Sequence, residues 1–444
     1  MTERGEAIDV GRLLDEGRSG RYQRWLVLLT ALAVVFDGID NQMIGVSVPT
    51  MMRDWSLPRS AFAPVISAGY LGMMLGGMAA GVVGDRFGRR VALLSSMLVF
   101  GAMTMATSFV DGVPALVVLR LLTGIGLGGA IPNAAALAAE FVPLRHRAMA
   151  VTVTIVCVPF GAMVAGLIAI QLMPAIGWQG MFLLGGGVPV VAALLYTRLL
   201  PESPRYLARQ PERRSELVRL LHRMGHAVPA DATFVDRTEV PVASVSVGTL
   251  FRPPFRGDTL ALWTSFFSCL LAVYLGFSWI PALLTGVGFS QPMAASGITA
   301  FNLGGVVGAL TGGLCIARLG SRDAMLYMTG AAVLSAGIMS LMDITSLASL
   351  TPIIVMLAIT GALINGVQTT MYALGAHVYP SAIRATGVGA AVSFGRIGAV
   401  LSGYVGAWAL EYRGSFSFFL AMAAAMFVCW IGLASVRRHI APRG

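Results

Sequence analysis

Twelve apolar runs, each long enough to cross a bilayer, leave this chain few ways to fold. They fall at 25–48, 61–83, 91–110, 114–139, 149–172, 180–199, 258–284, 293–317, 324–343, 352–376, 386–409 and 416–435. A helix crosses the hydrocarbon core in about 20 residues and satisfies its own backbone polar groups while doing so. With 56% hydrophobic and only 12% charged residues, the composition excludes a soluble domain. Every basic residue is an arginine, and the net charge of +10 could suggest a nucleic-acid partner. The distribution argues otherwise. Arginines crowd the N-terminal segment (Arg4, Arg12, Arg18, Arg21, Arg24), the loops after spans two and four, and the long loop after span six. The loops after spans three, five, seven and nine contain none. That asymmetry predicts cytoplasmic termini and a cytoplasmic central loop, in a multi-pass protein of the plasma (inner) membrane.

The expected organisation is a cytoplasmic segment 1–24, a six-helix bundle 25–199, a cytoplasmic loop 200–256, a second bundle 257–435 and a tail 436–444. Within the loop, PERRSELVRLLHRMG reads as an amphipathic helix lying at the membrane surface. Its His222 and His226 have metal-compatible spacing, but a solvated basic face is the expectation, and no metal site is predicted. The two halves repeat each other. At a constant offset Pro49 matches Pro281, Leu71 matches Leu303, Gly72 matches Gly304 and Gly76 matches Gly308; the register continues through Arg86 with Arg318 and Arg90 with Arg322. A second block pairs Thr123-Gly124 with Thr360-Gly361 and Arg147-Ala148 with Arg384-Ala385. Repeats in one orientation imply a pseudo-two-fold axis along the membrane normal and a central site between the halves. The four cysteines sit in apolar runs and are expected to be packing residues, and with no short apolar region and cleavage site in MTERGEAIDVGRLLDEGRSGRYQRW the first span is expected to be retained.

Span one contains two carboxylates, Asp37 and Asp40. A charge at mid-bilayer costs roughly 2.5–3.5 kcal/mol even on lenient insertion scales. Spacing of three also puts both acids on one helical face, where they repel each other. Such a pair survives only with a cation or a proton nearby, and groups that gain and lose a proton within the membrane are what a proton-coupled carrier requires. Arg120 in span four lies at a compatible depth and could neutralise one of them, so Asp37, Asp40 and Arg120 are the predicted proton-coupling set. A static ion pair is the plain alternative, although it would need only one acid. Arg396, about 10 residues into span eleven, is expected to hold a substrate carboxylate, since guanidinium binds carboxylate in a bidentate fork; hydrogen bonding to helix ends across the bundle is the plain alternative. Tyr274, Tyr372, Gln368 and Asn302 are the further substrate-binding candidates, aromatic faces and amides that suit a planar ring.

The loop Gly81-Val-Val-Gly-Asp85-Arg86-Phe-Gly88-Arg89-Arg90 resembles the principal motif of the major facilitator superfamily, and Arg120-Leu-Leu-Thr-Gly124-Ile-Gly126 is similar to its second. Glu140 and Arg147 in EFVPLRHR, with Pro201-Glu202-Ser203-Pro204-Arg205, are similar to gate motifs of its sugar and metabolite symporters. Asp37-Gly38-Ile39-Asp40, IDVGRLLDEG and Gly395-Arg-Ile-Gly398 resemble the aromatic acid:proton symporter family within it. The second-half copies depart from the pattern: Ala317 stands for Asp85, His377 for Glu140 and Leu357 for Arg120. The resemblance implies an all-α major facilitator fold of twelve transmembrane helices in two six-helix pseudo-symmetric bundles. It also implies an inner gate of Asp85, Arg86, Arg90, Glu140, Arg147 and Glu202, with Asp85 facing the start of span eleven. The expected function is a proton-coupled symporter importing a small aromatic carboxylate by alternating access. The alternatives are a proton symporter for a non-aromatic metabolite or sugar acid, and a carrier-fold membrane sensor. Its partners are an organic acid, the proton and the lipid bilayer; a monomer with no cofactor and no enzymatic activity is expected.

Overall fold

The computed structural model describes residues 7–229, 232–236, 246–342, 344 and 350–442; parts of the expected N-terminal segment, central loop and tail lie outside these. Span one is the helix Arg21–Trp55, span two Ala63–Phe87, span three Arg89–Thr107 and span four Val113–Glu140. The continuous stretch Leu144–Leu199 has 56 residues, far more than one crossing needs. It is two spans. At Gly177, φ 64° and ψ −176° break the helical path, in a left-handed region that a residue without Cβ enters freely. Span five is therefore 144–176 and span six 178–199. Span seven is Arg256–Gly286, span eight Gln291–Leu319, span nine Ser321–Leu341, span ten Leu350–Val378, span eleven Ser381–Arg413 and span twelve Ser415–Ser435. The result is an all-α membrane protein with twelve spans among the described residues.

Small residues at repeated positions set how the spans pack. A side chain on Gly72 or Gly76 would run into the carbonyls of Leu121 and Ile125, so spans two and four touch backbone to backbone. Gly304 and Gly308 meet the carbonyls of Ala358 and Ala362 in the same way, and spans eight and ten touch. In lipid, where apolar burial gives little drive for helix association, such close approach and its dispersion contacts hold a bundle together. Between the halves, span one lies against span seven, span two against span eleven and span five against span eight.

The halves are joined unequally. Among the described residues, the hydrogen bonds between them run from mid-membrane to the face opposite the chain termini. Gln42 Nε2 donates to the Phe277 carbonyl (3.0 Å), Tyr70 and Ser278 hydroxyls meet at 2.7 Å, and Ser67 donates to the Val400 carbonyl (2.7 Å). At the rim, the Ser60 amide donates to Glu411 (3.0 Å) and Arg59 to the Leu410 carbonyl (3.3 Å). Burial follows the same gradient: residues 40–49 of span one and 272–284 of span seven are buried without interruption, while Trp263, Phe267 and Leu271 are half-exposed. The molecule is closed at the face opposite its termini and open at the face that carries them.

Against that open end sits a small polar-faced unit. The helices Val10–Glu16, Pro204–Ala208 and Arg214–Arg223 pack together, with Ile8–Asp9 paired in parallel to Phe234–Val235. Sequence periodicity placed the apolar face of the loop helix on lipid. Instead Leu217, Val218, Leu220 and Leu221 are covered by Val10, Leu14, Leu207, Met224 and Val228. Protein covers that face because the N-terminal helix presents a complementary apolar stripe, and burying two stripes together removes both from water.

Candidate functional site

Span one carries the two acids past span five at a point of close contact. A side chain on Gly38 would collide with the Val158 carbonyl, and one on Gly161 with the Val35 carbonyl. The Asp-Gly-x-Asp pattern therefore seats its glycine on span five and leaves the flanking acids to either side. Both are fully buried. Their surroundings differ completely.

Asp40 points into the N-terminal bundle. The Thr104 hydroxyl donates to its Oδ1, and Arg120 Nη1 lies 3.5 Å from its Oδ2. Arg120 in turn donates to Thr107 (3.1 Å), and its guanidinium lies over the Phe182 ring at 5.1 Å. This acid has a cation, a hydroxyl donor and a rigid cradle. Asp37 has no such cradle: neither of its carboxylate oxygens has a hydrogen-bond partner among the described residues. Its electrostatic neighbours are Asp40 and, from the other half of the molecule, Arg396.

Arg396 is held where span eleven abuts span seven. Gly395 packs on Phe266 and Leu270, and Gly398 on the Phe267 carbonyl, so side chains at either position would force the spans apart. Together with Tyr274, Tyr372, Gln368, Asn365 and Val158, Arg396 lines a central cavity of about 710 Å³, its open mouth included. Tyr274 packs against Tyr70 with the rings tilted at 53° (4.3 Å between centroids) and lies beside Asn41, Asp37 and Arg396. Tyr372 stands edge-on to Phe266 at 5.5 Å. One wall of the cavity is thus aromatic and cationic from the C-terminal half, and the facing wall, with Ile155, Val158 and Pro159, is apolar from span five. Of the residues singled out as substrate contacts, Arg396, Tyr274, Tyr372 and Gln368 meet here. Asn302 does not. It is fully buried and donates to Gln42 Oε1 (3.0 Å), within the contact that closes the opposite face.

The gate candidates gather at the open face, with partners that sequence motifs did not indicate. Asp85 pairs at 2.5 Å with Arg89, the first residue of span three, and no described contact reaches span eleven. Glu202 accepts the backbone amides of Arg90 and Ser203, both at 2.9 Å, while Arg90 Nη2 donates to the Thr197 carbonyl. Glu140 accepts the Ser203 hydroxyl and lies 3.8 Å from Arg89. Arg86 lies over Phe87 (5.4 Å). Arg147 pairs with Asp15 of the N-terminal helix, and Arg205 reaches the same carboxylate at 2.9 Å. Thr104 lies in no motif that would have flagged it, and Asp15, although within IDVGRLLDEG, was given no partner there; each is defined by what it touches.

Residues 30–403 match the family model described as the Major Facilitator Superfamily. The chain is 36% identical to the 4-hydroxybenzoate transporter PcaK of Acinetobacter baylyi, across 94% of this chain and 91% of that protein. It is 35% identical to the gallate transporter of Pseudomonas putida, across 90% and 88%. Among solved structures, the inward-open conformation of the xylose transporter XylE from E. coli superposes with a TM-score of 0.70, at 15% identity, over 92% of this chain and 95% of that one.

Proposed function

The chain belongs to the major facilitator superfamily, and from that premise we propose that it is a proton-coupled symporter importing a small aromatic carboxylate across the plasma membrane. The relatives named for 4-hydroxybenzoate and gallate transport support the substrate class. The observation that carries the coupling is the unequal pair of acids. Asp40 is already satisfied by Arg120 and Thr104, whereas Asp37 is buried without a partner and faces Arg396 across the cavity wall.

An ionised carboxylate taken out of water without a partner costs several kcal/mol. Protonation removes that cost, and it also removes the negative charge facing Arg396. The freed guanidinium then binds the incoming carboxylate in a bidentate fork. The substrate ring lies against Tyr274 and Tyr372, whose faces accept the edge of another ring. Proton and organic anion enter together because each makes the other's site favourable, a reciprocal coupling of binding free energies. With the arginine-rich face in the cytoplasm, the open state described above is the releasing one. Loss of the proton from Asp37 restores its charge beside Arg396, which competes with the substrate and expels it. In this cycle Asp85, Arg86, Arg90, Glu140, Arg147 and Glu202 serve the inner gate, pairing within the N-terminal half when the gate is open.

The test is uptake of labelled 4-hydroxybenzoate into proteoliposomes under an imposed pH gradient. Wild type accumulates it above equilibrium, and Asp37→Asn carries it only down its own gradient. If accumulation by Asp37→Asn still tracks the proton gradient, Asp37 is not the coupling group. A panel of non-aromatic acids separates the aromatic reading from a sugar-acid one, and absence of any flux would leave a sensor.

A further inference from the structure

At the open face, outside the central cavity, spans one, three and six meet the loop helix Arg214–Arg223 around a recess of about 710 Å³, its open mouth included. Four arginines line it: Arg90, Arg198, Arg219 and Arg223. Its single acid, Glu216, is already engaged by Arg213 through contacts of 2.9–3.1 Å. Arg90 Nε is buried without a hydrogen-bond partner among the described residues. A cluster of cations whose one local anion is committed elsewhere invites an external one.

What the recess adjoins tells which anion. Leu199 of span six lines it, and on the same two neighbouring spans Leu195, Trp25 and Leu28 are exposed apolar side chains. The Tyr196 hydroxyl donates to the Leu29 carbonyl (2.9 Å), which holds the two spans side by side. Tyr22 and Pro201 continue the apolar surface up into the recess itself. A free inorganic anion would use the arginines and leave that surface idle. We propose that this recess binds an anionic phospholipid of the leaflet on the termini-bearing face, its phosphodiester among Arg90, Arg198, Arg219 and Arg223 and an acyl chain along the surface between spans one and six. Bound there, the lipid ties the loop helix to spans three and six.

Each basic residue beside an anionic lipid contributes about 1 kcal/mol, roughly fivefold in affinity. The measurement is native mass spectrometry of the full chain in detergent, titrated with phosphatidylglycerol, phosphatidylcholine or inorganic phosphate, with thermal unfolding followed in parallel. Wild type retains phosphatidylglycerol and unfolds at higher temperature with it, and neither phosphatidylcholine nor phosphate does the same. The combined variant Arg198→Gln/Arg219→Gln/Arg223→Gln binds phosphatidylglycerol roughly a hundredfold more weakly, whereas Arg318→Gln/Arg322→Gln in the other half binds as wild type does. Should the triple variant fail to fold, Arg219→Gln alone, on an exposed position, loses roughly fivefold. Equal stabilisation by inorganic phosphate would make this a small-anion site; equal retention of phosphatidylcholine, or undiminished binding by the arginine variants, would also overturn the proposal.

Discussion

Asp37 and Asp40 are the same residue type, three positions apart on one helix, and they respond to mutation in opposite ways. Asp40→Asn leaves Arg120 buried at mid-membrane without its acid, and removing one partner of a buried pair costs about 3–5 kcal/mol. A lowered unfolding temperature in detergent is the expected readout. Asp37→Asn removes a buried acid that no hydrogen bond holds, so the unfolding temperature stays level or rises while gradient-driven accumulation disappears. Equal destabilisation by the two variants would contradict their different surroundings. At Arg396 the planar fork matters more than the charge. Arg396→Lys keeps the cation but loses bidentate geometry, so substrate affinity falls by about tenfold, corresponding to about 1.4 kcal/mol. Isothermal titration with benzoate-type ligands measures this directly.

Between elements, backbone contact leaves no room for added atoms. Gly38→Ala pushes a methyl group into the Val158 carbonyl and separates spans one and five, with an expected loss of about 1–3 kcal/mol. Gly337→Ala faces open space and supplies the control, its helix propensity improving slightly. At the open face, Asp15 is the acid between Arg147 and Arg205 and docks the N-terminal helix. Asp15→Asn weakens that docking, and limited proteolysis then cleaves around Arg12 faster than in wild type. Sequence periodicity identified the loop helix Arg214–Arg223 and its apolar stripe, yet not the partner that covers the stripe. Hydrophobic burial is non-directional, so an amphipathic pattern says that a face is covered and is silent about whether lipid or protein covers it.

For the whole molecule, the consequence of one closed and one open face is a defined state that can be trapped. Ser60 and Glu411 meet at the closed rim, one from each half. Cysteines at both positions, in a background without Cys157, Cys269, Cys315 and Cys429, joined by a short bifunctional maleimide, hold that rim shut. Transport stops, while ligand binding measured on the linked protein in detergent persists through the open end. If linked protein still transports, the rim contact does not take part in the cycle.

Span number and the depth of Asp37, Asp40, Arg120 and Arg396 along their spans were legible in the residues alone, because hydropathy fixes where a helix enters and leaves the bilayer. The glycines that would bring spans two and four, and eight and ten, together were visible as a repeat for the same one-dimensional reason. Which acid belongs to which arginine was not. At 3.6 residues per turn, Asp37 and Asp40 differ by only about 60° around span one, so a small axial rotation decides which looks into the N-terminal bundle and which across at the other half. Gly38 against span five sets that rotation, and this is a contact between distant segments that no local pattern encodes.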